Sequence, residues 1–270
     1  MAYNAWSRWY TCLCVVVLSG GLRAQDSLRS TDLYRFGDGI VHTLAAPGRW
    51  TGKDWLKVGG VLAVTTASTL LDEPIRNFWN GQNNQFLDGV EGVGFYYGKP
   101  YSAAAIAGGV YLSGVLFHRN HLRETGLIMA TVLATGGLLQ TVLKTGIGRA
   151  RPQTNEGHVF FDPFNPSGEY HSFPSGHAWM ATAIGFVVIN RTQSIPLRIL
   201  FSVLAGGTLV ARMYADAHWV SDLAFSTALA YFCTRTVVAR MSTNHFRQHK
   251  STMKVTVMPG PQCMRMTLRW

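Results

Sequence analysis

Ten residues in three ordered blocks carry the chemistry available to this chain. They are Lys144 with Arg151 and Pro152, then Pro174-Ser175-Gly176-His177, then Arg212 with His218 and Asp222. Together they collect three cations, two histidines and one carboxylate within 79 residues. A phosphate ester resists hydrolysis because its anionic oxygens repel a nucleophile and its leaving alkoxide is basic. A site that cleaves one must neutralise the oxygens, supply a nucleophile and protonate the departing oxygen. The three blocks hold residues for each of these tasks.

Lys144 and Arg151 are seven residues apart, two helical turns. Gly146 and Gly148 between them let the chain fold both cations back onto one point. Arg149 falls off that face and reads as a headgroup or surface contact. Pro174 suits the first turn of a helix, so that the N–H groups of Ser175, Gly176 and His177 point out of a helix N-terminus, where anions bind. There His177 can meet a leaving-group oxygen, and the Ser175 hydroxyl a phosphate oxygen. His218 and Asp222 stand at i and i+4, the spacing of one helical face. The carboxylate can then hold Nδ1–H and aim Nε2 at phosphorus. Asp216, between Arg212 and His218, reads as a loop cap rather than a restraint on Arg212.

The spacings K-x6-R-P, P-S-G-H and R-x5-H-x3-D resemble the three signature motifs of the type 2 phosphatidic acid phosphatase (PAP2) superfamily, over about residues 125–239. The resemblance implies His218 forming a phosphohistidine, His177 as general acid, Asp222 as orienter, and Lys144, Arg151 and Arg212 as a cationic cradle completed by Ser175 and Gly176. It implies no metal and no other cofactor. Ala211 stands where the superfamily commonly has serine, which removes one hydroxyl contact without touching the chemistry. The activity expected is metal-independent hydrolysis of a phosphate monoester or diphosphate of a lipid headgroup through a phosphohistidine. The alternative is a soluble periplasmic non-specific acid phosphatase.

Composition bears on the setting. Apolar residues make up 47% of the 270 and charged residues 14%, against about 25% charged in ordinary soluble domains. That deficit points to a membrane, although mean hydropathy is only +0.10. The net charge of +10 is not gathered into a dense Lys/Arg run with interleaved aromatics, so nucleic acid is not the expected partner. A phosphorylated lipid and a membrane are. Cys12, Cys14, Cys233 and Cys263 form no disulfide framework and no zinc spacing.

Residues 1–25 read as a signal-like segment, with Arg8 before the apolar run Cys12 to Leu18 and a small residue at Ala24; an uncleaved anchor is the competing reading. Residues 26–55 are a polar lead-in with Tyr34, Phe36, Trp50 and Trp55. The phosphatase domain is expected over 56–240, from six apolar segments at 56–71, 101–117, 125–143, 174–191, 197–211 and 222–239. The fold class is therefore all-α, a six-helix membrane-associated bundle in which Ala103-Ala104-Ala105, Gly108-Gly109, Gly136-Gly137 and Gly206-Gly207 allow close helix contact. Residues 241–270 form a basic tail, with a short hairpin about Pro259-Gly260-Pro261.

The basic 118–123 and 191–198 turns and the tail contrast with the acidic 72–100 connection (Asp72, Glu73, Asp88, Glu91). Positive residues favour the cytoplasmic side, which puts the motif ends on the other. The expected location is the bacterial inner membrane with the active site facing the periplasm. A cleaved signal followed by six full spans would place the motifs inside instead. Either the segment stays, or 56–71 does not cross, or the bundle is not fully embedded. The 153–173 loop, with Phe160, Phe161, Phe164 and Tyr170, reads equally as a substrate lid or an aromatic interface anchor.

Overall fold

The computed structural model describes residues 31–242 and the strands Lys254–Pro259 and Met264–Arg269, which pair antiparallel with Lys254 opposite Arg269. The expectations for residues 1–25, for Cys12, Cys14 and Cys263, and for the side chains of the tail lie outside the described residues. Residues 31–44 are helical (α1). There follow α2 (Gly52–Ser68), α3 (Asp72–Asn80), α4 (Gln85–Tyr97), α5 (Pro100–Leu116), α6 (Asn120–Ile147), α7 (Gly176–Arg191), α8 (Ile195–Tyr214) and α9 (Val220–Met241).

Local chemistry starts and stops these helices. Thr51 donates to the Asp54 carboxylate through N (3.0 Å) and Oγ1 (2.8 Å) ahead of α2, and Asn84 Oδ1 accepts from Phe86 N at the head of α4. Both satisfy donors the first turn leaves free. Proline opens α5, where a missing N–H costs nothing. α6 stops at Gly148 in the left-handed region, φ 62°. A Cβ there would lie 1.9 Å from Asp162 O, so this turn, which delivers Arg149 and Arg151, requires glycine.

All six apolar segments are helical, and the differences lie around them. The acidic 72–100 connection contains two further helices, α3 and α4, whose carboxylates interrupt their apolar runs. Phe36 packs on the core, and a Cβ on Gly39 would meet Thr131 and Met241. α6 runs for 28 residues rather than 19, because its polar ends remain helical: Glu124 at one is paired, and Lys144 at the other donates to His171 O.

The core lies among α6, α7 and α9. Ile128, Met129 and Val132 meet Trp179, Ile184 and Val187, with Val237 and Met241 closing it. The small-residue expectation holds in part. Ala103 is buried and Gly136 lies against the Trp179 ring, but Gly108, Gly109, Gly137 and Gly206 face open space. Gln140, at the α6 end, faces the interior and donates to Ser175 O.

The chain runs back and forth so that the 117–119 and 192–194 turns share one end of the bundle with the end of α9, while the three motifs share the other. At the first end Arg123 pairs with Asp32, Arg35 and Arg191 with Glu124, and Arg240 with Asp38. Much of the basic charge read there is thus locally matched. α6 and α8 are long and apolar enough to cross a membrane; at 1.5 Å per residue they extend about 42 and 30 Å. Apolar side chains also face outward on several helices, among them Leu56 and Val64 on α2, Leu112 on α5 and Val203 on α8.

Candidate active site

Lys144 lies in the last turn of α6, Arg151 just past it, His177 in the first turn of α7, Arg212 in the last turn of α8, and His218 in the loop before α9. Five different stretches thus deliver them to one place. Arg151, Arg212 and His218 lie within electrostatic range of His177, and Lys144, Arg151 and Asp222 within range of His218. Lys144 Nζ donates to His171 O at 2.8 Å and Arg151 Nε to Gly168 O at 2.9 Å. These bonds tie both cations to the 153–173 loop. Burial, with Arg212 nearby, lowers the pKa of the Arg151 guanidinium, and an anion is the natural compensation.

α7 begins at Gly176, with Ser175 rather than Pro174 at the boundary. Ser175 is fully buried and its Oγ accepts from Ala178 N at 3.4 Å. The oxygen read as a phosphate contact is thus engaged as the N-cap, the role serine fills best, and its proton stays available. His177 Nε2 is buried with no partner among the described residues. Its ring stacks on Phe95 at 5.5 Å, which Arg212 overlies at 5.1 Å and Lys99 at 3.9 Å. Arg212 Nη2 donates to Glu91 Oε1 at 2.5 Å. α4 therefore forms a wall of the site.

His218 and Asp222 are not on one helical face, because α9 begins at Val220 and His218 precedes it. Nδ1 of His218 lies 3.7 Å from Asp222 Oδ2, beyond hydrogen-bond length, and has no other partner among the described residues. The carboxylate is already occupied. Oδ1 accepts from Arg149 Nη1 at 2.6 Å, and Oδ2 from Ser172 Oγ at 2.5 Å and Trp219 N at 3.0 Å. Burial depresses the His218 imidazole to about 4 against the opposing pull of Asp222, so it is neutral at physiological pH.

Arg149 is the largest departure from the sequence reading. It is 3% exposed, with Nη2 on Asp72 Oδ2 at 2.7 Å, Nη1 on Ser221 Oγ as well as Asp222, and Nε on His158 O. A desolvated guanidinium needs such partners, and Asp72 and Asp222 bracket it. Asp216 also departs from expectation: it takes two bonds from Arg76, at 2.9 Å each, while Arg76 Nη2 reaches Asn155. A small cavity bordered by Asp72, Arg76, Asp216 and Trp219 opens beside His218. Among the described residues, no group of three or more His, Cys, Asp or Glu could hold a metal ion. Asp72, Glu91, Phe95, Ser172 and Ser221 escaped the motif reading. The signal for Asp72 and Glu91 was the rarity of acids in an apolar chain, since a buried acid there requires a cation.

Residues 125–246 match the model of the PAP2 superfamily, and the matched stretch holds all three motifs. It is 34% identical over 101 residues to a lipid A 1-phosphatase of Rhizobium etli, covering 36% of this chain and 42% of that one. It is 30% identical over 131 residues to phosphatidylglycerophosphatase B of Bacillus subtilis, covering 44% and 60%. The chain thus spans about half the length of these relatives. The crystal structure of a transmembrane PAP2 type phosphatidylglycerolphosphate phosphatase from Bacillus subtilis superposes at a TM-score of 0.49 with 21% identity, covering 77% of this chain and 94% of that one.

Proposed function

We propose that this chain is a membrane-embedded phosphatase that hydrolyses the phosphate of a lipid headgroup through a covalent phosphohistidine. The observation that carries the reading is the convergence of Lys144, Arg151 and Arg212 on the half-buried His177 and on the buried His218, which is neutral and backed by an anionic network. The cations bind the phosphate oxygens, together with N–H groups at the start of α7. Nε2 of His218 attacks phosphorus, the bond from phosphorus to the ester oxygen breaks, and His177 gives that oxygen its proton. Water then attacks the phosphohistidine while His177 takes a proton from it, releasing inorganic phosphate and neutral His218. The His218 to Asp222 separation of 3.7 Å shortens when the imidazole becomes cationic, as unliganded sites commonly tighten on the way to the transition state.

A lipid substrate is supported by the names of the two relatives, by α6 and α8, and by the outward apolar side chains. Such a surface suits hydrocarbon. The functional unit is the bundle from α1 to α9, set in a bacterial envelope membrane with its motif end on the extracytoplasmic side. Phosphate release by detergent-purified protein from phosphatidate, phosphatidylglycerophosphate, isoprenyl diphosphate, lipid A and water-soluble phosphates tests this. Turnover confined to soluble esters would contradict the lipid reading, and turnover of none would contradict the activity.

A further inference from the structure

The chain of contacts behind His218 runs further than an orienting carboxylate requires. Asp72, on α3 and outside the stretch matched to PAP2, is 1% exposed. Its Oδ2 accepts from Arg149 Nη2 and Ser221 Oγ, each at 2.7 Å, and its Oδ1 from Ser221 N at 2.9 Å. Arg149 joins it to Asp222, which stands beside His218.

Asp222 does not need Arg149 for its orientation, because Ser172 Oγ and Trp219 N hold Oδ2 from two other directions. What Arg149 brings is a full positive charge 2.6 Å from the carboxylate, in a dry region where charges act strongly. Alone it would cancel the anion that an imidazolium at His218 has to face. Asp72 cancels Arg149 instead. The triad of two carboxylates and one guanidinium then carries a net charge of −1, which a cationic His218 brings to zero. A buried ion pair is weak evidence for added stability, so stability alone does not account for one linking α3 to this site.

We propose that Asp72 is a positioning residue that acts through Arg149: by offsetting the guanidinium it leaves Asp222 fully anionic toward His218 as that side chain takes on the phosphoryl group. This rests on the assignment of His218 as nucleophile under Proposed function. The predicted signature is a loss in kcat rather than KM, since Asp72 lies behind the nucleophile and not among the cations that bind phosphate. Removing such a preorganised charge typically costs on the order of 10²-fold.

The experiment compares wild type, D72N, D72N/R149Q and H218A, purified in detergent, on phosphatidate in mixed micelles, with the melting temperature of each recorded. D72N should lose about 10²-fold in kcat with KM within about threefold. D72N/R149Q, which removes the cation together with its counter-anion and restores the net charge of −1, should recover at least tenfold over D72N. A purely structural role predicts the opposite, because the double variant has lost more bonds. Equal or greater loss in a folded double variant overturns the proposal, as does D72N with more than half of wild-type kcat. If D72N fails to fold, the double variant decides: kcat within about tenfold of wild type supports the proposal, and a folded inactive or an unfolded double variant overturns it. Full activity in H218A, or none in wild type, would instead strike the underlying assignment.

Discussion

Gly98→Ala tests the placement of His177 without touching it. Gly98 caps α4 with φ −78° and ψ −1°, a backbone that alanine adopts freely, so the substitution acts through space alone. Its Cβ would stand 2.8 Å from His177 Cβ, 2.9 Å from Cδ2 and 3.1 Å from Cα, where ordinary contact starts at 3.4 Å. The start of α7 must therefore recede by about 0.3–0.6 Å, and two of the three atoms met are too near the main chain for a rotamer change to clear them. Phe95, stacked on the imidazole, limits its tilt. A misplacement of about 1 Å costs on the order of 10²-fold in a catalytic step, so kcat on an alkyl phosphate should fall about 10- to 100-fold. On p-nitrophenyl phosphate, whose leaving group needs no proton, it should fall less than about threefold. The overpacking cost, about 1–3 kcal/mol, is read separately as a lowered Tm. Steady-state kinetics on both esters at one pH supply the comparison; equal losses on the two would refute the assignment of His177 as the general acid.

Other expectations follow from the same geometry. His177→Ala should lose about 10²–10⁴-fold on alkyl esters and far less on aryl esters, measured by phosphate release. Because His218 titrates near 4 when folded and at the ordinary 6.5 when unfolded, the unfolded chain takes up a proton below pH 6.5 that the folded imidazole refuses until about pH 4. Stability is therefore complete above pH 6.5 and declines by up to about 3 kcal/mol as pH falls toward 4, and His218→Asn should flatten that part of a Tm-against-pH curve. Vanadate should inhibit competitively, since its five-coordinate adduct resembles the transition state, while EDTA should leave turnover intact; a metal-restorable loss on chelation would contradict the mechanism. A cysteine introduced in the 153–173 loop should react with an impermeant thiol reagent in spheroplasts and one at 118–123 should not, the reverse pattern overturning the proposed orientation.

The helices that build the site were legible because their apolar runs are long and poor in charge. Their polar extensions were not, since Glu124 and Lys144 look like helix boundaries until the partner that neutralises or employs each is known. α3 and α4 were hidden for the same reason: Asp72 and Glu91 gave the segment an acidic, loop-like character, yet Asp72 is buried against Arg149 and Glu91 meets Arg212. The spacings picked out residues that the fold brings together and left the groups around them unseen. Sequence distance placed His218 and Asp222 on one helix, whereas the helix starts between them. It placed Arg149 on the surface because its neighbours Lys144 and Arg151 took the inner face, but the turn at Gly148 redirects the chain and buries it. Pairings across 77 residues, as between Arg149 and Asp72, leave no local trace.

The central claim is that His218 becomes covalently phosphorylated. Rapid mixing with a ³²P-labelled substrate and quenching in alkaline detergent reads this directly, because a phosphorus–nitrogen bond survives base and breaks in acid. Wild-type protein should carry base-stable, acid-labile label, His177→Ala should carry more of it if its dephosphorylation slows, and His218→Ala should carry none. Label persisting in His218→Ala, or label that withstands acid, would contradict the account.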